Sequence, residues 1–413
     1  MPGTTRKTSV RPAHKGPFSQ NLRVVRKSLG LTPQTVVDHL LSLGVTVKAL
    51  RGWESGRSAP TREQTQALAS LFGMRFDDLL EPPSRARPPR VLYKLADKPI
   101  NADVRLATFR IAGLAREFAF LLSEREQESR SQQLRRRFTP DPTLGNAGEE
   151  HEEGIRLATE LRKQLRLGTR PIPSMRTLLR REFPEIWVSY ARPPLEISGL
   201  ALVDPDIVPT IAVNLGGRNE NVWTLRFHLA HELCHVLFDR GNDLRGVFLD
   251  RFELATNLVE AREKRANAFA AHFLAPHEGM RSLREQFKAA TLDHFTREAM
   301  VHFGMHFQAM KLHLRHVAIA SQEEVEAVQV EDYLPDEGWI KQERPEDVLQ
   351  FLWKEVPEER RGEFARTALQ SWRAGKITTS RTRELLGAGS GRDIDALAST
   401  LLDSPVQETI AQP

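Results

Sequence analysis

Cysteine is all but missing. Cys234 stands alone among 413 residues, which excludes an intramolecular disulfide and suits a reducing compartment. Long apolar runs are missing too, since no stretch approaches the ~20 residues a membrane helix needs. The start, Met1 to Gly16, is basic and polar and lacks the apolar segment of a secretory signal. These absences predict a cytoplasmic chain that meets no membrane. Acidic residues are scarce at one end and basic ones at the other. Residues 1–90 hold 15 Lys/Arg against 6 Asp/Glu, net +9, and residues 321–413 hold 11 against 19, net −8. A basic head and an acidic tail are the asymmetry expected if the head meets phosphates. The plainer alternative is a solubilising basic arm before a neutral domain.

What is present describes a globular chain, 40% hydrophobic and 27% charged, too long for one ordinary core. Residues 1–17 read as a disordered basic arm and 18–82 as a compact bundle of short helices separated at Gly30, Gly44, Gly56 with Pro60, and Gly73. The Pro-rich run after Glu81 marks a linker, and 83–153 combines linker with one long amphipathic helix over about 100–137. Trp187–Ala191, Ser198–Val203 and Thr210–Asn214 are short, β-branched or aromatic and bounded by turn residues, which predicts three strands. Helices are predicted over Asn221–Phe238 and Asn257–Leu274, and helical sequence continues through an acidic region, 321–413, whose end from Ser404 reads as disordered.

The chemical centre is His231-Glu232-Leu233-Cys234-His235, an HExxH sequence. Residues i and i+4 lie on one helix face, so two imidazoles can grip one Zn²⁺ while Glu232 takes a proton from water beside it. A third ligand is needed, with Asp239, Asp243, Asp250, Glu253, Glu260, Glu263 and His272 as candidates. At 100° per residue Glu263 shares a face with Asn267, Ala270 and Leu274, small or apolar positions suited to packing on the first helix. No oxyanion donor can be assigned; His272, His277 and Tyr190 are the candidates.

Arg226-Phe-His-Leu-Ala-His231-Glu-Leu-Cys-His235, then Glu263-Lys-Arg-Ala-Asn267-Ala-Phe-Ala270 and Leu274-Ala-Pro276, resemble the ImmA/IrrE family of metallopeptidases, as do Ser198-Gly199-Leu-Ala and Ile211-Ala-Val-Asn214 upstream. The resemblance covers about residues 150–320. It implies metal ligands at His231, His235 and Glu263, a catalytic base at Glu232, Zn²⁺ or Mn²⁺ as the ion, and a helix-turn-helix repressor-like protein as substrate. The family usually has glycine at the position of Cys234 and a small hydroxyl residue at that of His228. At the N-terminus, Leu22-x-x-Val-Arg-Lys-x-x-Gly-Leu-Thr32, Gly44-Val-Thr46 and Trp53-Glu54-x-Gly56-Arg57-x-x-Pro60 resemble XRE-type helix-turn-helix domains. That resemblance implies a reading helix from about Thr46, with Thr46, Val47, Lys48 and Arg51 toward the major groove of double-stranded DNA and Arg57 at phosphates.

The expected fold is mainly α with a small β-sheet, an α+β arrangement. It comprises an N-terminal helix-turn-helix bundle (18–82), a gluzincin-like peptidase domain (154–320) with three strands packed on the HExxH helix, and a helical C-terminal region (321–413). The expected function is a zinc-dependent endopeptidase that switches transcription. The alternative is a DNA-binding regulator or antitoxin-like protein whose peptidase-like domain senses or binds partners, with a homodimer among the expected assemblies.

Overall fold

Threonines start the helices of the N-terminal part. Thr32, Thr46 and Thr61 each accept a hydrogen bond from the backbone N–H three residues on, which supplies one of the donors a helix start leaves over. In the computed structural model, which describes residues 16–74, 76–81, 102–123, 126, 128–138, 149–194, 197–204, 207–239, 246–251 (backbone only), 261–330, 333–344, 356–387 and 393–403, these caps precede α2 (Pro33–Asp38), α3 (Val47–Glu54) and α4 (Arg62–Leu71). Helices α1 (Pro17–Ser28) and α5 (Phe76–Leu80) complete the set. The glycines predicted as separators, Gly30, Gly44, Gly56 and Gly73, all have positive φ, a conformation that costs other residues a steric clash. The arm at 1–15, the linker segments at 82–101 and 139–148 and the tail from Ser404 lie outside the described residues.

Contacts divide the chain into two units, 1–90 with 100–113 and 91–99 with 114–413. The division falls within α6 (Ala102–Ser123). In the first unit Leu22, Val25, Val36, Leu50, Trp53, Leu68 and Phe72 form the buried core. Arg26 donates from Nε and Nη2 to the Glu54 carboxylate at 2.5 and 3.1 Å, tying α1 to α3. Gly73 lies so close to α6 that a Cβ there would sit 1.8 Å from the Phe109 carbonyl oxygen.

The second unit carries α7 (Arg130–Arg137), α8 (Glu150–Gln164), α9 (Met175–Glu182), β1 (Trp187–Ala191), β2 (Ile197–Val203), β3 (Thr210–Asn214), α10 (Val222–Phe238), β4 (Gly246–Arg251) and α11 (Ala261–Leu274). After them come α12 (His277–Gln286), α13 (Leu292–Phe303), α14 (Phe307–His316), α15 (Gln322–Ala327), α16 (Glu337–Glu343), α17 (Glu363–Arg373), α18 (Thr379–Leu386) and α19 (Ile394–Leu402). The fold is thus mainly α with a small sheet, as the sequence predicts. The three expected strands are present, and β4 extends them to the order β1-β3-β2-β4, with β1 parallel to β3 and β2 antiparallel to both neighbours. Every residue of β2 and β3 is buried, whereas β1 alternates, the difference between strands covered on both faces and one covered on one. The single helix expected over 100–137 is two, α6 and α7. Ser129 opens the second with a capping box, its side chain accepting from Gln132 N–H while the Gln132 side chain accepts from Ser129 N–H.

Helix α10 packs on β2 and β3 and against α11. Of its 17 residues, Phe227 and His228 alone are not buried, so its sequence is apolar almost all round. A buried cation sits within it. Arg226, fully buried, donates to the carbonyls of Gly304 (2.9 Å) and Ile172 (2.7 Å) and pairs with the equally buried Glu343 of α16. Glu343 also accepts from Met175 N–H at 2.7 Å, so one ion pair joins α9, α10, the turn after α13 and α16. Removing one partner of such a pair strands the other charge. Arg226→Met is expected to cost about 3–5 kcal/mol, read from the shift of the denaturant midpoint at constant slope.

Candidate metal centre

Two helices place three donors together. On α10, His231 and His235 turn the same way, and their Nε2 atoms are 3.1 Å apart. On α11, Glu263 brings Oε2 to 3.1 Å from His231 Nε2 and Oε1 to 3.4 Å from His235 Nε2. A close approach behind α11 sets its position: Gly154 of α8 leaves room for the Arg265 carbonyl, which a Cβ would meet at 2.4 Å. Among the described residues these three form the group whose ligand atoms all lie within 4.8 Å of one another. The separations fit an ion. Ligands about 2.0–2.1 Å from a tetrahedral centre stand about 3.3–3.4 Å apart, close to the three edges observed.

The outer ring nitrogens fix the orientation. His235 Nδ1 donates to Asp239 Oδ2 at 2.6 Å, and Nδ1 of His231 meets Asn267 Oδ1 at 3.0 Å. With hydrogen on Nδ1, each ring presents the Nε2 lone pair to the common point, the arrangement that orients imidazole ligands. Asp239 is fully buried and is held in turn by Arg265 and, at 3.3 Å, by Arg262 Nε. Burial pushes the His235 imidazole down, but the Glu263 charge and the Asp239 hydrogen bond lift it to about 10. Burial likewise raises Glu263, and the two imidazoles outweigh it, holding the carboxyl well below its ordinary range. A divalent ion at this point competes with a proton for the Nε2 lone pair.

Glu232 is fully buried on the same helix. Its carboxylate lies against β2 at Gly199, where a Cβ would sit 2.7 Å from Glu232 Oε1. Glycine here is a requirement of close approach. On the expectation that Glu232 is the base of a metal-dependent hydrolase, Gly199→Ala should displace the carboxylate and lower turnover by about 10²-fold, with metal stoichiometry unchanged. Steady-state kinetics beside metal analysis check this, and an unaltered rate would mean the carboxylate has room to spare.

One turn before His231, His228 is half-buried and points Nδ1 at Asn219 Oδ1, 2.5 Å away. Asn219 donates from Nδ2 to the Ser198 and Asn214 carbonyls, both at 2.8 Å, so its oxygen is the acceptor and His228 Nδ1 carries the hydrogen. His306, at the start of α14, packs edge-on to Phe227 at 5.6 Å. Burial, helped by His228 and Arg218, pushes its imidazole down to about 3. No sequence spacing points to His306 or Arg218; His228 and Arg218 act on His306 through the tertiary fold.

Several expected residues lie elsewhere. Asp239 orients His235 and is not in the donor group. His272 belongs to a separate cluster of imidazoles with His151 and His313, and His277 acts electrostatically on that cluster. The Tyr190 hydroxyl has Arg176, Glu343 and Arg180 as its charged neighbours. Asp243, Glu253 and Glu260 lie outside the described residues, as does the side chain of Asp250. Cys234 is fully buried, and burial, with Asp239 next, raises its thiol well above the ordinary value, the environment of an inert packing residue. In the first unit, Thr46 caps α3 from an exposed position, Lys48, Arg51 and Arg57 are exposed, and Val47 is half-buried. Arg57 Nε donates to Ser55 Oγ at 2.8 Å.

No curated protein and no solved structure matches the chain. Residues 209–315, which run from β3 through α14 and carry His231, Glu232, His235 and Glu263, match the family model of the IrrE N-terminal-like domain, a peptidase family.

Proposed function

We propose that the chain is a zinc-dependent endopeptidase of the gluzincin type whose substrate is a helix-turn-helix repressor-like protein. The carrying observation is the triangle of His231 Nε2, His235 Nε2 and Glu263 carboxylate oxygens, with edges of 3.1, 3.1 and 3.4 Å. The match of residues 209–315 to a peptidase family supports the same reading. A bound zinc ion supplies Lewis acidity, lowering the pKa of a water molecule and polarising a carbonyl.

The chain's own groups do the rest. Asp239 and Asn267 hold the two rings in the tautomer that leaves Nε2 free to ligate. Glu232 accepts the proton of the attacking water and passes it to the leaving amine. Its burial against β2 keeps the carboxylate in place and out of bulk solvent. The test is incubation of the zinc-loaded chain with a repressor encoded beside it. Fragments are expected with zinc and not after chelation, and an intact repressor under both conditions overturns the proposal.

A second reading concerns the first unit. Thr46, Lys48 and Arg51 stand exposed on the first turns of α3, and the segment 1–90 is net +9, which supports contact with double-stranded DNA. If so, affinity for promoter DNA falls steeply as salt rises, and Glu232→Gln leaves it unchanged. Binding that is absent at low salt counts against this reading.

A further inference from the structure

Four imidazoles from three helices of the second unit meet at a place the peptidase chemistry does not use. His151 is on α8, His272 near the end of α11, and His313 and His316 on α14. Along α11, His272 stands nine residues beyond Glu263, about 13 Å at the helical rise. His272 and His313 are 5% and 0% exposed.

Their hydrogen bonding is what a ligand pair shows. His313 Nε2 donates to the Ala275 carbonyl at 2.7 Å. The acceptor fixes the tautomer, so His313 Nδ1 holds a lone pair, and that nitrogen is buried without a hydrogen-bond partner. The Nε2 of His272 is buried and unpartnered as well. Buried polar atoms in folded chains are normally satisfied, and an orphan calls for an ion or a water. The rings also lie close together. His272 and His313 have centroids 4.6 Å apart at 84°, against 4.8 Å at 73° for His231 and His235, the pair at the catalytic triangle. His151 lies edge-on to His272 at 6.2 Å and to His316 at 4.3 Å. A carbonyl holding one ring nitrogen while the other is left without a hydrogen-bond partner is the outer-shell pattern of metal-bound histidine.

We propose that His272, His313 and His151 form a second site, for a divalent transition-metal ion of the zinc class, which clamps α8 and α14 to the end of α11. The rings are not yet gathered as tightly as the catalytic donors. His151 is half-buried, and His316, which accepts from Arg315 Nη2 at 3.1 Å, packs edge-on against it at 4.3 Å, so the site closes only if the His151 ring turns about its side-chain bonds. The site is chemically ready for an ion. Burial first, and then the neighbouring imidazoles, push His272 down to about 2 and His313 to about 4, and the Ala275 hydrogen bond only partly offsets this for His313. Both shifts favour the neutral imidazole that a metal ligand requires. Other charged groups acting on the cluster are Glu152, which opposes the downward push on His151, and Arg315, which adds to it.

The test uses the full, untagged chain, stripped with chelator and titrated with Co²⁺ under optical absorption. The wild type is expected to take two equivalents with tetrahedral visible bands. His235→Ala should remove one of them. Within that background, His151→Ala or His313→Gln should weaken the remaining equivalent at least tenfold. His151 is half-exposed, so its replacement keeps the test valid should the His313 variant fail to fold, which circular dichroism reports. One equivalent in the wild type, or a second equivalent indifferent to both changes, overturns the proposal. Because the readout is binding in a chain lacking His235, its failure is separate from any failure of the peptidase reading.

Discussion

Glu232→Gln is expected to leave zinc bound and to lower peptide hydrolysis by about 10²–10⁴-fold. The substitution keeps shape and volume, which matters at a side chain that is fully buried and set against Gly199. It removes one property, the ability of the carboxylate to take a proton. The donor group of His231, His235 and Glu263 does not include Glu232, so metal analysis of the purified variant should match the wild type. The loss should fall on kcat, since proton acceptance belongs to the transition state and not to substrate binding. A variant that keeps zinc and keeps its turnover would show that Glu232 merely packs against the sheet, and the proposed chemistry would then need another base.

Much of this centre is legible in the linear sequence because it obeys helical periodicity. The four-residue spacing of His231 and His235 places both rings on one face of α10, and the small residues sharing a face with Glu263 turn that carboxylate toward the same helix. Both inferences need only the 100° step. Asp239 shows where periodicity stops being enough. It too is four residues from a ligand and acidic, but it lies on the C-terminal side of His235 and meets Nδ1, the nitrogen turned away from the triangle. Spacing alone gives no way to tell a ligand from the group that orients one. Ser129 and Gln132 carried a legible capping box, which the apolar periodicity of the flanking segments obscures. The groups that no local pattern reveals are those joined across long stretches of chain. Asn219 beside His228 and Gly154 beside Arg265 depend on tertiary packing, as do His151, His272 and His313, which come from three helices far apart in sequence. The short strand β4, six residues paired to β2, has too few residues for its period to stand out in the sequence.

The buried acid behind His235 carries the second large effect. Asp239 is fully buried, accepts from His235 Nδ1 at 2.6 Å and from Arg265, and lies 3.3 Å from the Arg262 Nε cation. Arg265 is itself fully buried and also donates to Glu153 at 3.1 Å, so Asp239 joins the metal centre to a chain of charges that reaches α8. Asp239→Asn preserves volume and leaves an oxygen able to accept from His235, but it removes the charge that Arg265 faces. Breaking one side of a buried pair is expected to cost about 3–5 kcal/mol, and loss of an orienting partner about 10–100-fold in metal affinity. The two effects have different causes and separate experimentally. Adding Arg265→Met should recover only part of the stability, since the cation that faced Asp239 is gone but Glu153 loses its partner, and should recover none of the affinity, since His235 still lacks its carboxylate. Denaturant midpoints of the metal-free chains read the first quantity and competition with a chromogenic chelator reads the second. If both recover together in the double variant, Asp239 acts on the metal only by holding the fold, and its charge does not tune His235.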